Sequence, residues 1–76
     1  MTKKEMPEYE RTDEVLEFIE DYIAEYEISP SMREIGDACE ISSTSVVKYH
    51  LDKLEKYGFI KRNKKLARTI RVNKKK

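Results

Sequence analysis

The 76 residues include one cysteine, one histidine, two glycines, two prolines and no tryptophan. A single cysteine closes no internal disulfide, and the chain lacks the Cys/His pairs that a zinc site needs. No apolar run approaches the ~18 residues of a membrane span. The first ten residues are charged, without the apolar centre of a signal peptide. There is no Gly-rich phosphate loop, no Ser/His/Asp set and no supported carboxylate pair. These absences argue against an enzyme and predict no cofactor, no metal, no membrane partner and no small-molecule ligand. The expectation is one domain near the lower size limit for folding without staples. Its core would be ordinary hydrophobic packing, in keeping with a cytoplasmic, nucleoid-associated protein.

What is abundant is charge, and it is sorted along the chain. Residues 1–40 carry thirteen Asp/Glu against Lys3, Lys4, Arg11 and Arg33, a net −9. Residues 41–76 carry twelve Lys/Arg against Asp52 and Glu55, a net +10. The overall +1 conceals this division. Such asymmetry points to a polyanionic partner for the basic half.

From Arg11 to Tyr26 the apolar positions 15, 19, 22, 23 and 26 fall on one helical face, and Glu14, Glu17, Glu20, Asp21 and Glu25 fall on the other. Pro7 suits a first helical turn, so this helix could begin that early. Ser31 and Glu34 have capping-box spacing and predict a short second helix from Met32 to about Cys39. Ile35, Ala38 and Cys39 would form its buried side. Ser43, or Ser42, suits the N-cap of a third helix reaching about Tyr57, with Gly58 as its left-handed stop. Val47, His50, Leu51 and Leu54 form the inward stripe of that helix. His50 reads as a packed residue at the stripe's margin, Cys39 as a small core residue, and Tyr22, Tyr26 and Tyr57 as core-edge residues. Two β-favouring segments, 59–62 and 69–72, flank a polar basic stretch and predict an antiparallel hairpin. The fold class is therefore mainly α with a small β-hairpin, a three-helix winged helix-turn-helix.

Turning the third helix by about 100° per residue with its stripe inward sends Ser45, Tyr49, Asp52, Lys53 and Lys56 outward, flanked by Val46 and Lys48. The first two turns of this face are slim or polar, as entry into a major groove requires. Ser45 and Lys48 can bond base edges, Val46 can meet a thymine methyl, and Tyr49 can reach a phosphate or sugar. The hydroxyls and free N–H groups around Ser42, Ser43 and Thr44 suit a phosphate. Lys61, Arg62, Lys64, Lys65, Arg68 and Arg71 crowd the hairpin, where they would straddle phosphates or dip into the minor groove. The candidate DNA-binding set is Ser43, Thr44, Ser45, Val46, Lys48, Tyr49, Lys53, Arg62, Lys64, Lys65 and Arg68.

Three motifs in order carry a resemblance to a known family. They are Pro30-Ser31-Met32-Arg33-Glu34-Ile35-Gly36, then Ser43-Thr44-Ser45-Val46, then His50-Leu51-Asp52-Lys53-Leu54-Glu55-Lys56-Tyr57-Gly58-Phe59-Ile60. Together they resemble the DNA-binding domain of the LexA repressor family across roughly residues 9–72. The resemblance implies a three-helix winged fold that binds operator DNA. By position, the family's base readers correspond to Ser43, Ser45, Val46, Lys48 and Tyr49, with the wing on the backbone. Glu40 stands where the family usually has Gly, so a left-handed turn there would be mildly strained. The family's C-terminal self-cleaving and dimerising domain is not among these 76 residues, so autoproteolysis does not carry over.

The combined expectation is a flexible N-terminus over 1–8, a winged DNA-binding domain over 9–72 and a basic tail over 73–76. Its partner would be double-stranded DNA, bound as a transcriptional repressor or its DNA-binding domain, with a homodimer on a palindromic operator. The alternative is a winged-helix module that docks proteins without specific DNA binding. An RNA reader would need an exposed aromatic sheet that the chain lacks.

Overall fold

Val15 and Ile19 lie one helical turn apart and are fully buried, so they mark the inner face of the first helix, α1, Thr12–Tyr26. The computed structural model describes residues 10–73. The expectations for an early helix at Pro7, a flexible 1–8 and a tail at 74–76 lie outside the described residues. Leu16, Phe18 and Ile23 pack against the core from the flanks of α1. Tyr22 is half-buried, but Tyr26 is 60% exposed and is not a core-edge residue. Phe18, Tyr22 and Tyr26 instead form a ladder of rings along the helix, with centroids 5.7 and 4.7 Å apart.

The second helix, α2, is Met32–Cys39 and has the predicted capping box. Ser31 Oγ accepts from the Glu34 amide at 3.1 Å, and Glu34 Oε1 accepts from the Ser31 amide at 2.9 Å. Ile35 and Cys39 are buried as expected; Ala38 is exposed. In the eight-residue helix, Gly36 takes the inner place between Ile35 and Cys39. A Cβ added at Gly36 would meet the Ile41 carbonyl oxygen at 3.1 Å. That tight approach lets the chain turn directly into the third helix. The turn passes through Glu40 at φ 58°, a left-handed conformation that costs a non-glycine residue roughly 1 kcal/mol.

The third helix, α3, is Thr44–Lys56, capped by Ser43, whose Oγ accepts from the Ser45 amide at 3.1 Å. Gly58 at φ 85° terminates it, and the Phe59 amide returns to the Leu54 carbonyl at 2.9 Å. The buried residues of α3 are Val46, Val47, His50, Leu51 and Leu54. His50, read as marginal, is fully buried and shares a 2.9 Å hydrogen bond with Thr12 Oγ1 through Nδ1. Tyr57 is 63% exposed, not a core-edge residue.

The hairpin is shorter than predicted. Strands β1, Ile60–Lys61, and β2, Arg71–Val72, pair antiparallel with Ile60 opposite Val72. Beyond them, side chains replace the ladder. The Thr69 hydroxyl donates to the Asn63 carbonyl at 3.0 Å and accepts from the Asn63 amide at 2.9 Å. Asn63 Oδ1 accepts from the Lys65 amide at 2.9 Å, an Asx turn that opens the wing loop. Ile60 and Ile70 plug the wing into the core beside Ile35, Leu51 and Leu54. Asn73, assigned above to the basic tail, is held by its amide to the Phe59 carbonyl and by its side chain to the Gly58 carbonyl. The result is a winged helix-turn-helix in which α1, α2 and β1 all pack against α3.

Candidate nucleic-acid interface

The face of α3 left uncovered carries Thr44, Ser45, Lys48, Tyr49 and Lys56, all exposed, with Asp52 and Lys53 half-buried at its edge. The Lys48 side chain is 60% exposed. Tyr49 is 40% exposed and its ring is well held. Lys53 Nζ lies 5.8 Å from the ring centroid, and the His50 ring meets it edge-on at 5.4 Å. A held ring presents its hydroxyl at a defined point on this face.

Val46 does not belong to this face. It is only 5% exposed and sits in the core, so it cannot touch a thymine methyl. Because α3 is covered from more than one side, its buried arc is wider than the 47–51–54 stripe, and Val46 lies on the edge of that arc. The helix start is also less open than its serine-rich sequence suggests. The amides of Ser45, Val46 and Val47 already have acceptors on Ser43. These three are not offered to a phosphate.

The basic wing divides into two chemistries. Arg62 and Arg68, both assigned to DNA above, hold carboxylates of the fold, Arg68 with 43% of its side chain still exposed. The Arg62 side chain is 7% exposed and its Nη2 donates to Asp52 Oδ1 on α3. Its Nε lies 3.5 Å from Glu55 Oε1, an ion pair without hydrogen-bond geometry. Arg68 reaches the other way. Its guanidinium donates to both Glu34 carboxylate oxygens at 3.0 Å and to the Ser29 carbonyl at 3.2 Å. Two arginines thus pin the wing to α3 and to the start of α2. The planar fork of Arg68 suits its bidentate pairing with Glu34 better than a lysine ammonium would. Lys61, Lys64, Lys65 and Arg71 remain exposed. Lys64 Nζ hovers 3.6 Å from Asp52 Oδ1 and 4.0 Å from Glu55 Oε1.

Sequence reasoning counted Arg11 and Glu55 as charges and placed Asp52 on the outward face of the third helix, with no partner assigned to any of them. Arg11 is 5% exposed, paired with Glu14 and donating to the Cys39 carbonyl, which ties α1 to the end of α2. Nothing local in the sequence marks that role. Asp52 collects Lys48, Arg62 and Lys64 around one carboxylate. Partial burial pushes its pKa up, but the hydrogen bond from Lys48 and the charges of Lys48, Lys64 and Arg62 outweigh this and lower it. An acidic residue four positions after Lys48 was a visible i,i+4 signal.

The hydrogen bond from Arg68 and that from the Ser31 amide hold the Glu34 carboxyl at about 2, against an ordinary 4.5. A lowered folded-state pKa contributes stability that is complete above about pH 4.5 and is lost as pH falls towards 2. Exposure of the pair to solvent keeps the contribution modest. Glu34→Gln retains the capping geometry, since Gln serves in a capping box. It is therefore expected to be less stable than the parent at neutral pH, with the gap closing between pH 4.5 and pH 2. Urea melts across that range check this; a pH-independent gap would rule out the Glu34–Arg68 charge pair as its source.

Among the described residues, no helix is long and apolar enough to cross a membrane, and no group of three or more His, Cys, Asp or Glu could hold a metal ion.

Comparison with known proteins bears on this surface. The family described as the LexA DNA binding domain matches residues 8–69. The LexA repressor of an Exiguobacterium species is 44% identical over 62 residues, covering 82% of this chain and 30% of that protein. The LexA repressor of a Roseiflexus species is 45% identical over 62 residues, covering 82% of this chain and 28% of that protein. That of Corynebacterium efficiens is 43% identical over 63 residues, covering 83% and 27%. The chain thus spans less than a third of the length of these relatives.

Proposed function

The chain belongs to the LexA DNA-binding domain family, and from that premise we propose that it binds double-stranded DNA sequence-specifically, as a transcriptional repressor or the DNA-binding part of one. The observation that carries this reading is the uncovered face of α3, where Ser45, Lys48 and Tyr49 stand exposed on a helix otherwise locked into the core. In the bound state α3 lies in the major groove with its N-terminal turns deepest. Ser45 and Lys48 meet base edges, Tyr49 meets a base edge or the sugar-phosphate backbone, and Ser43 and Thr44 flank the phosphates beside the helix start. Lys53 supports the Tyr49 ring from the groove's rim. Lys64 and Lys65 on the wing, with Lys61 and Arg71 behind them, contact the backbone or reach the minor groove.

Acidic residues line α1, and the basic ones gather on α3 and the wing. This polarity orients the domain during encounter, because the field draws one side to the duplex and repels the other. A single small module buries only ~600–1,000 Å² on DNA. Tight binding therefore calls for two copies on a two-fold operator.

Selection of bound duplexes from a random library tests the proposal. A shared motif, repeated as an inverted pair, is the expected result. No enrichment, together with no binding to mixed duplex at low salt, would favour a protein-docking module instead. Lys65→Ala is expected to weaken preferred and random duplex alike, and to reduce the log–log salt slope by ~0.9, one phosphate contact. A salt titration on both duplexes reads this directly; a loss confined to the preferred duplex would remove Lys65 from the backbone set.

A further inference from the structure

Asp52 is an oddity on a face meant for a polyanion. Its carboxylate lies between α3 and the wing, with one oxygen 3.2 Å from Lys48 Nζ and the other 3.6 Å from Lys64 Nζ. It is 39% exposed, so duplex phosphates would approach it. It is also fixed in place. Arg62, 7% exposed, grips it from the protein side, so it cannot readily swing away. The hold on Arg62 is shared with Glu55, which makes no such contact with Lys48.

Resting on the DNA-binding reading above, we propose that Asp52 is a specificity-determining residue, a built-in brake on non-specific duplex binding. Random DNA offers the protein little but phosphate charge, and affinity for it scales with the number of cations released to phosphates. Asp52 occupies two of those cations and repels the phosphates that would take them. A matched sequence offers more. The Lys48 ammonium has three donors, so it can bond a base edge while keeping Asp52 as a neighbour. The brake therefore falls mainly on random DNA, and the ratio between matched and random affinity widens. A carboxylate used this way provides specificity by opposing the wrong complex rather than by favouring the right one.

The test measures binding of the full chain to its library-selected duplex and to a random duplex of equal length, over a salt series. Asp52→Asn is expected to raise random-duplex affinity roughly 3–10-fold at ~0.1 M salt and to steepen its log–log slope by ~0.9, the effect of one further phosphate contact. Affinity for the selected duplex is expected to rise by a clearly smaller factor, because Lys48 there bonds bases and only Lys64 is released to the backbone. Glu55→Gln removes the other carboxylate from Arg62 and, at 4.0 Å, the more distant one from Lys64, and serves as the packing control. It is expected to change the affinity ratio much less than Asp52→Asn does, because Lys48 keeps its partner. In a Lys64→Gln background, the gain from Asp52→Asn on random duplex is expected to shrink.

Equal gains on both duplexes would overturn the proposal, as would an unchanged random affinity. So would a Glu55→Gln variant that lowers the ratio as far as Asp52→Asn does, because loosened packing of the wing would then explain both. If the parent shows no preferred duplex at all, the sequence-reading role of α3 fails. The random-duplex arm still reads the brake in that case, so the two failures are distinct.

Discussion

Lys48→Ala and Tyr49→Ala are each expected to weaken binding to the preferred duplex by ~1–3 kcal/mol, with much smaller losses on random duplex. Both side chains stand in the second turn of α3, beyond Ser45, on the arc that no other element covers. Truncating either should leave the core intact, because neither is buried. The two residues should differ in what survives. Lys48→Ala removes a cation, so random-duplex binding falls slightly and the salt slope flattens. Tyr49→Ala removes no cation, so its salt slope should match the parent's. Tyr49→Phe divides the tyrosine's part between hydroxyl and ring. A loss matching that of Tyr49→Ala assigns the effect to the hydroxyl. Little loss assigns it to the ring that Lys53 and His50 hold in place. If Lys48→Ala and Tyr49→Ala reduced both duplexes by the same factor, α3 would not be the reading element.

The largest stability effect is expected at Leu51. It is fully buried among α3's core residues and also lines the cleft under the wing with Met32 and Ile70. Leu51→Ala should cost ~2–5 kcal/mol, the sum of lost burial and an unfilled cavity. A domain of this size has roughly 4–11 kcal/mol of total stability. The substitution would thus consume a large share of it, and the melting temperature should fall by on the order of 10–30 °C. Leu66, also in that cleft wall but 62% exposed, provides the contrast. Leu66→Ala is expected to shift stability by less than about 0.5 kcal/mol. Thermal melts of the two variants decide the matter. Equal, small shifts would mean that α3 is not seated on the core as described.

The two predictions draw on opposite faces of one helix, and the sequence treats those faces unequally. Ser31 with Glu34, Ser43 and Gly58 mark helix ends through hydrogen bonds that span at most five residues. Val15 and Ile19, like Leu51 and Leu54, mark buried faces through spacing alone. Such features are local, so the element order, the fold class and the family resemblance follow from the chain read in one dimension. The width of α3's buried arc does not. Val46 is buried because α1, α2 and β1 together cover more of the helix than one stripe. Counting 100° per residue, the buried residues Val46, Val47, His50, Leu51 and Leu54 occupy an arc of about 140°, with Val46 at one edge and Leu51 at the other.

Charge shows the same division. The sequence by itself determined that one half is acidic and the other basic, that three helices precede a hairpin, that Ser31 caps the second helix and that Gly58 ends the third. Only the tertiary structure decided which cations are spent on the fold. Arg62 finds Asp52 across ten residues, and Arg68 finds Glu34 across thirty-four. Lys61, Lys64 and Lys65 of the same wing, equal to them in sign and almost neighbours in sequence, are exposed, and Lys64 comes no nearer to Asp52 than 3.6 Å, whereas the Arg62 side chain is only 7% exposed. The physical reason is that capping and amphipathic periodicity act within a few residues of backbone. An ion pair instead depends on which distant elements folding brings within about 4 Å, and on how much water is left between them.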